Sequence, residues 1–387
     1  MSELPSARRV RQQRALDVDA VLADTSIRII VCCGSGGVGK TTTAAALALR
    51  AAEHGRRAVV LTIDPARRLA QSMGLRELDN APRAVTGVDM SAGGSLDAMM
   101  LDMKRTFDEV VAAHATPEKA AAVLDNPFYQ ALSTSFAGTQ EYMAMEKLGQ
   151  LRAQDEWDLI VVDTPPSRSA LDFLDAPARL GSFLDGRLIR VLTAPARAGG
   201  RVGFRFVQAG LGVFTSALTR VLGGDLLRDV QTFVGALDSM FGGFRERAEQ
   251  TYALLQNPET TFMVVAAPEP DALREASYFV ERLAGDGMPL GGLVLNRVHT
   301  SEVSALTAEQ SVSAADHLAG ADEHALASSA LLLHAERMRV IDREQRLARR
   351  FTTAHPSVSV VTVPAFPTDV HDMQGLREVG DALADGA

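Results

Sequence analysis

The stretch that most constrains this chain is Gly34-Ser35-Gly36-Gly37-Val38-Gly39-Lys40-Thr41. It matches G-x-x-x-x-G-K-[ST], the phosphate-loop pattern. Ile27–Cys33 before it is an Ile/Val-rich run of the kind a buried parallel strand needs. Thr41–His54 after it is Ala/Leu-rich and closes on Gly55, the pattern of a helix with a C-terminal glycine. Ala58–Ile63 reads as a second buried strand. Strand, helix and strand in this order make a βαβ unit with a right-handed crossover. The chain is thereby committed to an α/β fold, a P-loop NTPase with a mostly parallel, doubly wound sheet.

A loop rich in glycine lets backbone N–H groups converge on phosphate oxygens, and the helix N-terminus adds partial positive charge there. Lys40 would neutralise phosphate charge, and Thr41 would offer its hydroxyl to Mg²⁺. The expected nucleotide-binding residues are therefore Gly34, Ser35, Gly36, Gly37, Val38, Gly39, Lys40, Thr41 and Thr42. ATP and Mg²⁺ are the expected cofactors.

Three further residues end hydrophobic runs on the same sheet edge. Asp163 closes Trp157–Asp163, where a carboxylate holds Mg²⁺, often through water. Asp64 follows the second strand. It reads equally as a group that orients a water and as a helix N-cap before Pro65. Asn296 ends Leu290–Asn296, where an amide suits an adenine edge but a turn asparagine fits as well. Pro364 closes the last strand, Ser357–Pro364, and with the following Pro367-Thr368-Asp369-Val370 loop reads either as a cover over the base or as an ordinary Pro-rich loop.

The remaining alternation is split. Leu96–His114 and Gly138–Ala153 have helical periodicity. Residues 168–257 contain no convincing strand and read as a helical subdomain. Thr261–Ala267, Asp271–Leu283 and Leu290–Asn296 then resume the strand–helix–strand order. Residues 301–354 read as helical, and Leu376–Leu383 as a closing helix. The expected organisation is an arm over residues 1–25 that is solvated, a core over 26–167 and 258–387, and the helical subdomain over 168–257 with parts of 96–153.

With 39 Lys+Arg against 48 Asp+Glu the net charge is −9, which argues against non-specific nucleic-acid binding by the whole surface but not against a local basic patch. No run of apolar residues is long enough to span a membrane. The two cysteines, Cys32 and Cys33, are adjacent, so a bond between them would be strained. The Arg-rich N-terminus lacks the apolar core of a secretory signal. Together these features favour a reduced, cytoplasmic protein.

The segments GSGGVGKTTTAAALA, TIDPARRLA, DLIVVDTPPS, VLNRV and VPAFPTDV, in that order, resemble the arsenite-pump and tail-anchored-protein-targeting ATPases. These are deviant-Walker P-loop ATPases that dimerise across ATP. The resemblance covers residues 27–175 and 258–385, and implies an ATP hydrolase. It implies that Lys40, Asp64 and Asp163 are catalytic, Asp64 positioning the attacking water and Asp163 lying near Mg²⁺ with Thr41. It implies that Asn296 and Pro364 contact adenine. Phe136-Ala137-Gly138-Thr139-Gln140-Glu141 resembles the family's Phe-Pro-Gly-x-Asp-Glu stretch, with Ala137 and Gln140 as departures.

Three other departures bear on function. Ser35 stands where the deviant loop has the lysine that reaches the partner's phosphates. Ser167-Arg168-Ser169 replaces Thr-Gly-His. No C-x-x-C exists, so neither a zinc-clasped dimer nor a cysteine metalloid site is available. The implied assembly is a homodimer, or a heterodimer with a related lysine-bearing ATPase. In the second case this chain is a low-turnover ATP-binding regulatory subunit. The apolar segment Phe206–Thr219, with Phe233, Met240, Phe241 and Phe244 among glycines, reads as core packing or as a groove for a hydrophobic or membrane-protein client. No nucleic acid is expected, and peripheral membrane contact is compatible with the sequence. A partitioning or positioning ATPase is the less favoured reading.

Overall fold

The computed structural model describes residues 14–64, 68–126, 129–130, 139–165, 246–247, 249–319 and 324–386. Among the described residues eight strands form one sheet: β1 (Ile29–Cys33), β2 (Arg57–Thr62), β3 (Arg83–Ala84), β4 (Ser95–Met100), β5 (Leu159–Asp163), β6 (Thr260–Ala266), β7 (Leu290–Val298) and β8 (Val360–Pro364). Their order is β3-β4-β2-β5-β1-β6-β7-β8. Every neighbouring pair is parallel except β3 with β4. β1 lies at the point where successive strands turn to opposite sides, which is where open α/β sheets bind ligands.

The helices are α1 (Val18–Ala23), α2 (Lys40–Glu53), α3 (Arg68–Ser72), α4 (Met103–His114), α5 (Pro117–Leu124), α6 (Thr139–Gln154), α7 (Pro270–Gly285), α8 (Ala308–Leu318), α9 (Ala325–Ala354) and α10 (Met373–Asp385). Residues 249–256 are also helical. β1, β5 and β6 are buried at every position, so both sheet faces must be covered. Side chains alternate between the faces. Ile30 and Cys32 pack with α1, α2, α3 and α10. Ile29, Val31 and Cys33 pack with the opposite layer, which includes α4, α6 and α7. The two cysteines thus point to opposite sides, and both are free thiols. The alanines of α2 keep that helix close to β2 and β5 below and α10 beside it.

The structure departs from the sequence reading in three places. Leu96–His114 is not one helix. Ser95–Met100 is strand β4, in parallel register with β2 from Arg57↔Ser95 to Thr62↔Met100. Leu, Ala and Met favour helices in isolation, but here pairing with a buried strand overrides that preference. Asp102 then caps α4 by accepting from the Arg105 N–H at 2.9 Å. Within residues 301–354 the described helices are Ala308–Leu318 and Ala325–Ala354, preceded by turns over 302–306, with a capping box at Thr307 and Gln310 opening the first.

Third, residues 14–25 of the N-terminal arm are not a solvated tail. Val360 N–H donates to Arg14 O at 3.0 Å and Leu16 N–H donates to Val360 O at 3.2 Å, which covers the open edge of β8. Leu16, Val18 and Leu22 are buried against the core. Buried Arg56 holds this arm from below. Its guanidinium donates to the carbonyls of Leu22, Asp24, Ile27 and Asp158 at 2.5–3.3 Å. Within the expected helical subdomain, residues 168–245 and 248 lie outside the described residues, and so does its apolar segment. The described end, residues 249–256, buries Leu255 in the core.

Candidate nucleotide-binding site

Strand register assembles the site. Asp163 at the end of β5 pairs with Cys32 of β1 on one side and Thr62 of β2 on the other. The last carboxylate of β5 therefore lies level with the start of the phosphate loop. Asp163 Oδ2 accepts from the Thr41 hydroxyl at 2.8 Å and from the Thr62 hydroxyl at 2.9 Å. Its Oδ1 is buried with no hydrogen-bond partner among the described residues. Burial pushes the Asp163 carboxyl up to about 6, against the pull of those two hydroxyls and of Lys40.

The loop conformation depends on its glycines at two points. A Cβ on Gly34 would lie 2.1 Å from Val265 O on β6. Gly39 has φ +97°, and a Cβ there would lie 2.3 Å from Asn296 Nδ2. α2 starts at the next residue, and no side chain caps it, which leaves its first N–H groups directed at the loop. Lys40 is buried and donates from Nζ to Ser35 O at 2.8 Å. Burial holds its ammonium below the usual lysine range, partly offset by Asp163 and Asp64. Ser35 Oγ is buried without a partner among the described residues.

The end of β7 grips the loop from the other side. Asn296 Nδ2 donates to Val38 O at 2.8 Å, and Asn296 Oδ1 accepts from the Arg297 N–H at 3.0 Å. Arg297 adopts φ +62° and sends Nη1 to Gly37 O at 2.9 Å. Both polar ends of the Asn296 amide are thus engaged here by protein backbone. Pro364 ends β8 opposite Val298, so it and Asn296 sit at the same sheet edge on adjacent strands. Asp64 is half-buried, and its N–H donates to the Thr62 hydroxyl at 3.2 Å, which links it to Asp163. Thr164 is buried and donates from Oγ1 to Cys32 O at 2.9 Å, tying the segment after β5 to the loop strand. Pro65, Ser167, Arg168, Ser169 and the stretch 136–138 lie outside the described residues. For 139–141 only the helical backbone is described.

Thr62 and Arg297 are site residues that the sequence did not single out. Thr62 lies within a strand and follows the burial pattern of its neighbours. Arg297 follows an asparagine already assigned, and nothing in composition marks the positive φ that aims it. The donor set around Asp163 suits Mg²⁺: an orphaned carboxylate oxygen beside a threonine hydroxyl is hard, anionic and all-oxygen. Among the described residues no group of three or more His, Cys, Asp or Glu could hold a metal by itself. No described helix is long and apolar enough to cross a membrane.

A phosphate loop at the switch point of a parallel sheet, with a strand-end carboxylate beside the loop threonine, defines a P-loop ATPase. The chain belongs to the anion-transporting ATPase family, whose family model matches residues 27–315. It is an ATP hydrolase, as that family is. It is similar to ATPase GET3 of Malassezia globosa, 26% identical over 282 residues, which is 72% of this chain and 75% of that protein. It is similar to ATPase get3 of Schizosaccharomyces pombe, 27% identical over 286 residues, 73% of this chain and 76% of that one. ATPase ARSA2 of Chlamydomonas reinhardtii is 27% identical over 285 residues, covering 72% and 70% respectively.

Proposed function

We propose that this ATPase works as a Mg·ATP-dependent dimer, coupling ATP binding and hydrolysis to the handling of a hydrophobic or membrane-protein client. The observation that carries the nucleotide chemistry is the buried, orphaned Asp163 oxygen beside Thr41 at the mouth of the phosphate loop. In this reading the N–H groups from Gly34 to Thr42 wrap the phosphates, and Lys40 neutralises them from its buried position. Thr41 and Asp163 would hold Mg²⁺, which when bound would supply positive charge to stabilise phosphoryl transfer. Asp64, held near Asp163 through Thr62, positions the attacking water. Asn296 and Pro364 border the base. The client and the dimer rest on the family membership and on the similarity to GET3 proteins.

Ser35 favours a second reading. Its hydroxyl is buried in the loop and carries no charge, so it cannot act on a partner's phosphates as a lysine would. On that reading the chain turns over slowly alone and is completed by a lysine-bearing relative. The test is the native mass of the purified chain with and without Mg·ATP, with phosphate release recorded on the same sample. ATP-dependent tightening with turnover supports the homodimer. An inert ATP-bound monomer that a Ser35→Lys change activates supports the regulatory subunit. No ATP-dependent change in association, alone or with a related ATPase, removes both.

A further inference from the structure

Helix α9 is 30 residues long, and its burial shifts along its length. Ala335, Met338, Ile341, Glu344 and Phe351 are the buried positions. The face left outside is unusual in its chemistry. Arg339, Arg343, Arg346 and Arg350 are spaced by 4, 3 and 4 residues, which places them on one face of a helix over about 16 Å. All four are exposed. None makes a hydrogen bond or ion pair with any described residue. By contrast, Arg337 donates to Thr300 O and Arg349 to Gln345 O, so arginines of this helix with a structural task are bound to it. Of the acids in the helix middle, Glu344 turns inward and accepts from the N–H and ring of His299, while Glu336 and Asp342 stay exposed beside the stripe, so four arginines face two acids. A net-basic stripe of four arginines, unpaired among the described residues, thus stands on a chain whose net charge is −9.

Beside the stripe runs an apolar row. Leu326 is 84% exposed, Leu333 70% and Val340 41%, and they repeat every seven residues. Leu332, 45% exposed, falls on the arginine face itself, seven residues before Arg339. We propose that this outward face of α9 docks on an anionic lipid bilayer. The leucines enter the headgroup boundary while the arginines at their flank reach the lipid phosphates, the arrangement of an interfacial basic amphipathic helix. A second copy of the chain fits less well, because the same face would oppose four arginines to four arginines. Nucleic acid fits less well, because the exposed face offers leucines where base stacking calls for aromatics.

The full chain is tested by flotation with vesicles of phosphatidylcholine alone and of phosphatidylcholine mixed with phosphatidylglycerol. The chain is expected to float with the mixed vesicles only, and to be released by salt. Each arginine at an anionic surface is worth about fivefold in partitioning. Replacing Arg339, Arg343, Arg346 and Arg350 together by Gln is therefore expected to abolish flotation. A Leu326→Ser, Leu333→Ser variant keeps the stripe and is expected to weaken binding several-fold. ATP turnover unchanged in both variants shows that the fold survives, and makes the result independent of the client reading. Equal recovery with both vesicle types, or flotation undiminished in the four-Gln variant, overturns the proposal. So does loss of oligonucleotide binding in that variant with lipid binding intact, which would assign the stripe to nucleic acid.

Discussion

Replacing Gly39 by Ala tests whether the end of β7 sets the shape of the phosphate loop. The residue sits at φ +97°, where a Cβ costs roughly 1–2 kcal/mol. The added methyl also meets Asn296 Nδ2 at 2.3 Å, and the only other atom within 4 Å is Asn296 Cγ at 3.6 Å. The amide must therefore leave its bond to Val38 O, a loss of roughly 1–3 kcal/mol. Together these terms come to about 2–5 kcal/mol. In an Asn296→Ala background the obstructing amide is already gone, and only the backbone term remains. The double-mutant cycle should show a coupling of about 1–3 kcal/mol, with the double variant less impaired than the sum of the singles. The assay is the affinity of all four proteins for a non-hydrolysable ATP analogue, where each tenfold loss corresponds to about 1.4 kcal/mol. Additivity within about 0.5 kcal/mol would show that the Asn296 amide does not hold the loop.

Three other outcomes follow from buried groups. Asp163 has its carboxyl raised from 3.8 to about 6, so the fold favours its protonated form; that stabilisation is full below 3.8 and is lost as pH rises through 6, roughly 3 kcal/mol in all. Denaturation of the metal-free chain from pH 4 to 7 should show this slope, and Asp163→Asn should lack it; equal slopes would refute the assignment. Arg56→Met leaves four carbonyls at the base of the sheet without their shared donor, and should cost about 3–5 kcal/mol in urea unfolding and release residues 14–25 to early proteolysis. Burial pushes the Cys33 thiol up to about 12 and also holds the Cys32 thiol well above its usual range, so neither should react with a disulfide reagent in the native chain at pH 8, and both should react once urea unfolds it.

Much of the core was legible because its signals are local. The phosphate loop, the buried runs that became β1, β2, β5, β6 and β7, and the strand-end Asp163 announce themselves by composition and punctuation. β4 was not legible, because Leu96, Ala98 and Met99 are good helix formers and only the neighbouring β2 makes them a strand. The docking of residues 14–25 was hidden for a similar reason. An Arg-rich arm looks solvated until the edge of β8, more than 340 residues later, supplies its partner. At the site, the sequence pointed to Asn296 but not to its task here. An amide that suits a base suits a backbone carbonyl equally, and the register that brings it to Val38 depends on the order of β1, β6 and β7.

The position of β1 also governs how the chain is made. Its two neighbours are β5 and β6, so the strand that carries the phosphate loop is completed by residues far apart in the chain. When the ribosome has delivered Asp163, β1 can pair on one side only. Roughly 100 residues must follow before Thr260–Ala266 emerges, a wait of about 5–20 s at ordinary synthesis rates. Through that interval the Ile29–Cys33 backbone has an open flank in a half-built sheet. A nascent chain arrested in this window should bind general chaperones at the loop strand, and should let them go once β6 is out.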